Sequence, residues 1–302
     1  MQKDAAIQVK GTAAPSRGFS NQGQWAKFWN GLRKDKLTVA GGLIVVIVGL
    51  VSLFAPLIAP YDPTVGEGSM RLMPPGTPGH LLGLDDQGRD ILSRLIWGGR
   101  ISLITALIPV LLTFGFSLVL GLIAGYSEKL GELIMRTLDV LFAFPMVLFA
   151  IAIAAVLGPG MLTIMISIVL VLIPYMTRVV YVATVTEKTK EYVEAARAMG
   201  ATKPEIIFKE IMPNVISGLI VYSTTLIGVM IVFGAGLSFL GLGIQPPFAD
   251  WGKMTGDGMK VLTQGAPHVA TIPGLVILIV STAFNWLGDG LRDALDPHKR
   301  TQ

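Results

Sequence analysis

The chain has 302 residues, of which 52% are hydrophobic and only 15% charged, where a soluble domain carries roughly 25% charged residues. It contains no cysteine, which excludes disulfides, thiolate catalysis and cysteine-based metal sites. A net charge of +4 would admit a nucleic-acid partner, but the cations flank long uncharged segments, as Lys and Arg do beside membrane spans, and nucleic acid is set aside.

The leader, residues 1–36, holds Lys3, Lys10, Arg17, Lys27, Arg33, Lys34 and Lys36 against Asp4 and Asp35. A first apolar segment follows at 37–59. Its core exceeds the ~7–15 apolar residues of a signal peptide, so it reads as a retained anchor. Residues 60–100 form an outer loop. Within it, between Gly88 and Gly99, Ile91, Leu92, Leu95 and Ile96 share one helical face, with Arg89, Asp90, Ser93 and Arg94 opposite and Trp97 at the end. This pattern suits either an interfacial helix leading into the next span or, equally, an ordinary packed segment of the outer loop.

Five further apolar segments follow, at 101–125, 133–157, 161–183, 215–240 and 269–287, each long enough to cross a hydrocarbon core of about 30 Å. The fold class is therefore all-α, with six transmembrane helices. Gly121 and Gly125 make a small-xxx-small pair for close helix packing. Pro109, Pro145 and Pro174 each remove a backbone donor and bend a span. Arg136 and Asp139 have the i, i+3 spacing of a local pair, and Arg178 is placed to snorkel. Asn285 is the main deep amide. Its first role is an interhelical hydrogen bond, its second a place on a substrate path.

Basic residues decide orientation. The leader and the tail at 290–302, with Arg292, Lys299 and Arg300, point to cytoplasmic termini. The loop at 184–214 then faces the cytoplasm and the loop at 241–268 the outside. Ion-coupled carriers place ionisable groups at membrane depth, and the middles of these spans are nearly free of them. His80, His268 and His298 have no metal-ligand spacing, and no HExxH pair or GxSxG elbow is present. The only Gly-Lys pair, Gly252-Lys253, precedes Met254 and is no nucleotide-binding loop. If transport is ATP-driven, the ATPase is another chain.

Residues 184–214 read TVTEKTKEYVEAARAMGATKPEIIFKEIMPN, a long and patterned connector between two spans. One short helix covers about 190–199, and Gly200 ends it in a left-handed conformation. Thr202 caps a second helix, with Pro204 in its first turn and Glu205 three residues on. Ile206, Ile207, Glu210 and Ile211 continue it, and Pro213 stops it. Its apolar stripe has little chain to pack on and seeks a partner.

Glu194-Ala195-Ala196, Gly200, Ile211 and Pro213 resemble the EAA motif of binding-protein-dependent ABC importer permeases. Three further stretches resemble the dipeptide and oligopeptide branch of that family: GLDDQGRDILSRLIWGGRISL at 83–103, SFLGLGIQPPFADWGKM at 238–254 and FNWLGDGLRDALDP at 284–297. Met212 stands where the EAA pattern usually has Leu, and Leu84 where Thr is common.

The resemblance implies the type I ABC importer permease fold in a bacterial or archaeal cytoplasmic membrane, with the last five spans making one domain at 101–289. It implies a second homologous permease, two ABC ATPase subunits and an extracytoplasmic substrate-binding protein as partners. This chain would bind no cofactor, with ATP and Mg held by the ATPases. Its coupling residues would be Glu194, Ala195, Ala196, Gly200, Lys203, Glu205, Ile207, Lys209, Glu210, Ile211 and Pro213. Peptides are the implied cargo, with oligosaccharide or nickel as the alternatives.

Overall fold

The structure, a computed structural model, describes residues 32–33 and 35–295. Among these the regular elements are all helical: α1 (Lys36–Leu53), α2 (Ala55–Ile58), α3 (Ile91–Tyr126), α4 (Glu128–Phe142), α5 (Met146–Leu157), α6 (Met161–Lys188), α7 (Glu191–Ala198), α8 (Lys203–Phe239), α9 (Trp251–Lys260) and α10 (His268–Leu295). Helices α1, α3, α6, α8 and α10 are each long and apolar enough to span a bilayer.

The third expected span is not one helix. Helices α4 and α5 meet at an angle of 86°. Pro145 is extended at φ −57°, ψ 128°, and the residue before a proline is steered away from helical geometry, so the chain leaves the helix between Phe142 and Met146. Pro109 and Pro174, by contrast, stay inside continuous helices.

Contacts between helices settle the topology. A Cβ added to Gly121 would strike Val180, and one added to Gly125 would strike Thr184. The expected small-xxx-small pair thus seats α3 directly on α6. Lys188 Nζ donates to the Tyr126 carbonyl at 2.9 Å, joining the C-terminal ends of both helices. So α3 and α6 run parallel, and α4 with α5 must return the chain from one end to the other. The bent pair is one broken span, and the crossings number six among the described residues.

Helix α10 runs antiparallel to α8, with Gly288 against Thr225 and Gly228 against Ser281. Helix α1 runs antiparallel to α10, with Thr38 against Gly290 and Gly41 against Ala283. The start of α1, the end of α10 and the 189–213 hairpin therefore share one end of the bundle, called here the hairpin end. The 59–90 and 240–267 loops lie at the other.

At that loop end the piece at 88–99 is not a separate interfacial helix. It opens α3, and its charged face is buried: Arg89, Asp90, Ser93 and Arg94 are all less than 4% exposed. Burial of charge is tolerated where partners compensate. Asp85 Oδ2 lies 2.7 Å from Arg89 Nε and 3.2 Å from Arg94 Nε. Asp90 caps α3, accepting from the Ser93 amide at 2.7 Å. Trp251, 2% exposed, plugs the same end. Its indole N–H donates to the Leu95 carbonyl at 2.9 Å and its amide donates to Ser102 Oγ at 3.1 Å.

The local Arg136–Asp139 pair also does not form. Arg136 turns to Glu132, one turn away at 2.5 Å, and Asp139 reaches Arg178 of α6 at 2.5 Å. The pitch of 3.6 residues accommodates i, i+4 as readily as i, i+3, and the long-range arginine takes the free carboxylate.

Candidate functional site: the hairpin at residues 189–213

Helix α7 and the start of α8 form a hairpin around Gly200. Lys190 is extended and starts α7, whose first turn holds Glu191 and Glu194, where acidic side chains favour the helix dipole. The helix ends at Met199. Gly200 then takes φ +91°, a region open to glycine and costly to other residues. No atom lies within 4 Å of a Cβ placed on it, so the requirement for glycine here comes from the backbone.

The reversal is fixed from both sides. The Ala201 amide donates to the Ala196 carbonyl at 3.1 Å. Glu205 accepts from the Thr202 amide at 3.0 Å and the Thr202 hydroxyl at 2.8 Å, closing the capping arrangement at the start of α8. Lys209 pairs with Glu205 at 3.2 Å.

Pro213 does not stop this helix. Residues Ile206–Ile211 form a π-helical segment, and α8 continues unbroken to Phe239. The Met212 amide reaches back five residues to the Ile207 carbonyl. The wider turn makes room for a proline ring that would clash in a regular helix. The second hairpin helix and the fifth long helix are therefore one rod.

Nor is the apolar stripe left open. Ile206 and Ile211 are buried together with Val193 and Ala196 of α7, and Val193, Ile206 and Ile211 are continuous with the bundle core. What faces outward is different: Met199 is 83% and Phe208 59% exposed. Between the two arms lies an open groove of about 400 Å³, lined by Ala196, Met199, Gly200, Glu205, Lys209 and Glu210 among others.

Of the expected coupling residues, five meet at this groove: Ala196, Gly200, Glu205, Lys209 and Glu210. Glu194, Ala195 and Lys203 are exposed elsewhere on the hairpin, Ile207 is half-buried, Ile211 is in the core and Pro213 lies on the exposed start of the rod. Asn285 is far in sequence from these. It is half-buried on α10 opposite Gly228, and among the described residues no hydrogen-bond partner holds it.

Tyr192 is the residue that sequence reasoning missed. Its hydroxyl donates to Glu187 Oε2 at 2.6 Å and accepts from Asn214 Nδ2 at 3.2 Å. Asn214 also donates to the Glu210 carbonyl at 2.7 Å. One phenol thus ties the end of α6, helix α7 and the π-helical segment together. Desolvation, with the Glu187 carboxylate beside it, pushes its pKa up to about 12, so it remains a donor throughout the neutral range. A tyrosine between Glu191 and Val193 carries no local signal for contacts made 22 residues downstream.

Residues 117–301 match the family model of the binding-protein-dependent transport system inner membrane component, and residues 23–75 match that of the N-terminal TM domain of oligopeptide transport permease C. The chain is 42% identical over 274 residues to the glutathione transport system permease protein GsiD of Pectobacterium atrosepticum, covering 90% of this chain and 91% of that one. It is 41% identical over 277 residues to the di/tripeptide transport system permease protein DppC of Pseudomonas aeruginosa, again covering 90% and 91%. Among solved structures it is similar to an inward-facing conformation of the MetNI methionine ABC transporter, with a TM-score of 0.56 and 18% identity, covering 67% of this chain and 97% of that one. That last likeness bears on the fold alone.

Proposed function

The chain belongs to the family of binding-protein-dependent transport system inner membrane components, and from that premise we propose that it forms half of the translocation pathway of an ATP-driven importer of short peptides. The other half is a second, related permease. Two ATPase subunits hold ATP and Mg and hydrolyse the nucleotide, and an extracytoplasmic binding protein delivers the cargo.

The hairpin end faces the cytoplasm in this reading, in line with the basic leader and tail. The hairpin is then the surface that takes the ATPase stroke. The observation that carries this is the combination of a hairpin anchored in the bundle core with outward apolar groups. Val193, Ile206 and Ile211 anchor the hairpin in the bundle core, while Met199 lines an open groove and Phe208 faces outward. Large exposed apolar side chains beside a groove mark a contact surface. The rod from Lys203 to Phe239 gives that contact a mechanical consequence, because a displacement of the groove tilts a membrane-crossing helix.

Peptide cargo is supported by the relatives, named as glutathione and di/tripeptide transport system permeases. Neither oligosaccharide nor nickel is favoured by them. The test is reconstitution of the full complex with its binding protein. Peptide-loaded binding protein is expected to stimulate ATP hydrolysis and peptide uptake. Stimulation by a sugar-loaded form with none by the peptide-loaded form would reassign the cargo.

A further inference from the structure

Helix α4 carries a charged stripe that the coupling account does not use. Glu132, Arg136 and Asp139 follow one another at spacings of four and three residues, so they share a face. None is covered: the Glu132 and Arg136 side chains are 64% and 77% exposed, Asp139 58% and its partner Arg178 47%. The only residues of α4 that are buried are Gly131 and Leu138.

This stripe runs to considerable depth. Arg178 lies ten residues before the end of α6, about 15 Å along that helix at a rise of 1.5 Å per residue, and Asp139, eleven residues into α4, meets it there. The residues flanking Arg178 are apolar, from Ile173 to Met176 and from Val179 to Ala183 apart from Thr177 and the two tyrosines. Ionisable groups at such depth face water or protein rather than lipid. The Arg178 guanidinium lies 4.5 Å from the Phe142 ring centroid, and Phe142 lies 4.5 Å from Tyr175. Just beyond, the chain breaks at Pro145, and Pro174 lines a pocket together with Phe142, Phe144, Phe149 and Tyr175.

We propose that this face of α4 and α6 walls the water-filled translocation path, and that the Asp139–Arg178 pair is a polar contact for the charged ends of a passing peptide. The inference rests on the peptide reading above for its ligand and on geometry for its path. A free peptide is a zwitterion. An exposed carboxylate–guanidinium pair with balanced charge can exchange its mutual contact for the peptide's ammonium and carboxylate, with little change in the charge exposed along the path. The guanidinium offers paired donors to a carboxylate, and the Phe142 ring holds it in position when the ion pair opens. The bend at Pro145 places a break in the helix next to this contact.

The chain lacks cysteine, so a cysteine introduced into it is the one thiol of this subunit, and its labelling is read on this subunit in the assembled transporter. Arg136→Cys and Asp139→Cys are expected to react with a charged, membrane-impermeant thiol reagent about tenfold faster than Leu111→Cys, whose side chain is exposed on apolar α3. Peptide-loaded binding protein with ATP is expected to change those rates. Reaction no faster than at Leu111 would overturn the path, placing the stripe in a dry contact with the second permease.

Arg178→Gln is expected to slow uptake of a free dipeptide by about tenfold, the loss of one charge-assisted contact, while leaving its C-terminal amide nearly unaffected. Both substrates are supplied at concentrations that saturate the binding protein. Equal slowing of both, or of neither, would overturn the contact. If the wild-type complex takes up no peptide at all, the cargo reading fails, and thiol labelling still decides the path.

Discussion

The Tyr192 hydroxyl donates to Glu187 Oε2 at 2.6 Å, and through it the end of a membrane helix is held to the hairpin around Gly200. Because the same oxygen accepts from Asn214, the contact also reaches the rod that begins at Lys203. The hairpin is thus bound at two places to the elements it would have to move.

Tyr192→Phe keeps the ring and removes the hydroxyl's hydrogen bonds to Glu187, Asn214 and, at 3.4 Å, the Glu210 carbonyl. Each such bond contributes on the order of 1 kcal/mol net, so the fold is expected to survive while the hairpin loosens. In the reconstituted complex, peptide transported per ATP hydrolysed is expected to fall several-fold, with ATP hydrolysis retained. An unchanged ratio would show that the phenol transmits nothing.

Gly200 separates strain from sterics, since its surroundings are open and its φ is +91°. Gly200→Val is expected to reach the membrane but uncouple hydrolysis from uptake. A β-branched residue is poorly tolerated at positive φ. Gly200→Asn is expected to be close to wild type, because Asn adopts left-handed geometry more readily. Equal defects in the two variants would mean that the glycine is needed for contact with a partner rather than for its backbone.

Gly121→Val drives a branched side chain into Val180. Overpacking of this kind costs about 1–3 kcal/mol. A lower melting temperature in detergent is expected, larger than for Gly115→Val, where no atom lies within 4 Å of the added Cβ. Similar melting temperatures would contradict the close seating of α3 on α6.

Trp251→Phe removes the indole donor to Leu95 and leaves the ring's bulk largely in place, whereas Trp251→Ala opens the plug at the loop end. The alanine variant is expected to lose about 3–5 kcal/mol and the phenylalanine variant distinctly less. Hydrogen exchange at the first turns of α3 measures both. Equal protection in the two would mean that the side chain's volume matters little there.

Much of the hairpin was legible because its signals are local. A glycine between two short helices, with Thr202 and Glu205 three residues apart, prescribes a left-handed turn and a capped restart, and both are present. Gly121 and Gly125 were legible for the same reason, since their spacing alone selects a helix face. Pro213 misled. A proline reads as a stop, but a π-helical segment upstream absorbs the missing amide, and nothing in the sequence marks that turn. Arg136 and Asp139 misled because spacing shows which partners are possible and not that Arg178, 39 residues away, is nearer. The charged face at 89–94 left an interfacial helix and a packed segment equally open, because its neutralising carboxylate, Asp85, lies in the preceding loop and acts only once the loop folds back.

The most direct test of the coupling account is thiol cross-linking in the complete complex. Met199→Cys sits 83% exposed at the groove in wild-type geometry, and Ser69→Cys lies in the loop at the opposite end of the bundle. With a short bifunctional thiol reagent and a cysteine on the ATPase surface, Met199→Cys is expected to yield a permease–ATPase product whose amount changes with ATP, and Ser69→Cys none. A product from Ser69→Cys and none from Met199→Cys would contradict both the coupling role of the hairpin and its cytoplasmic placement.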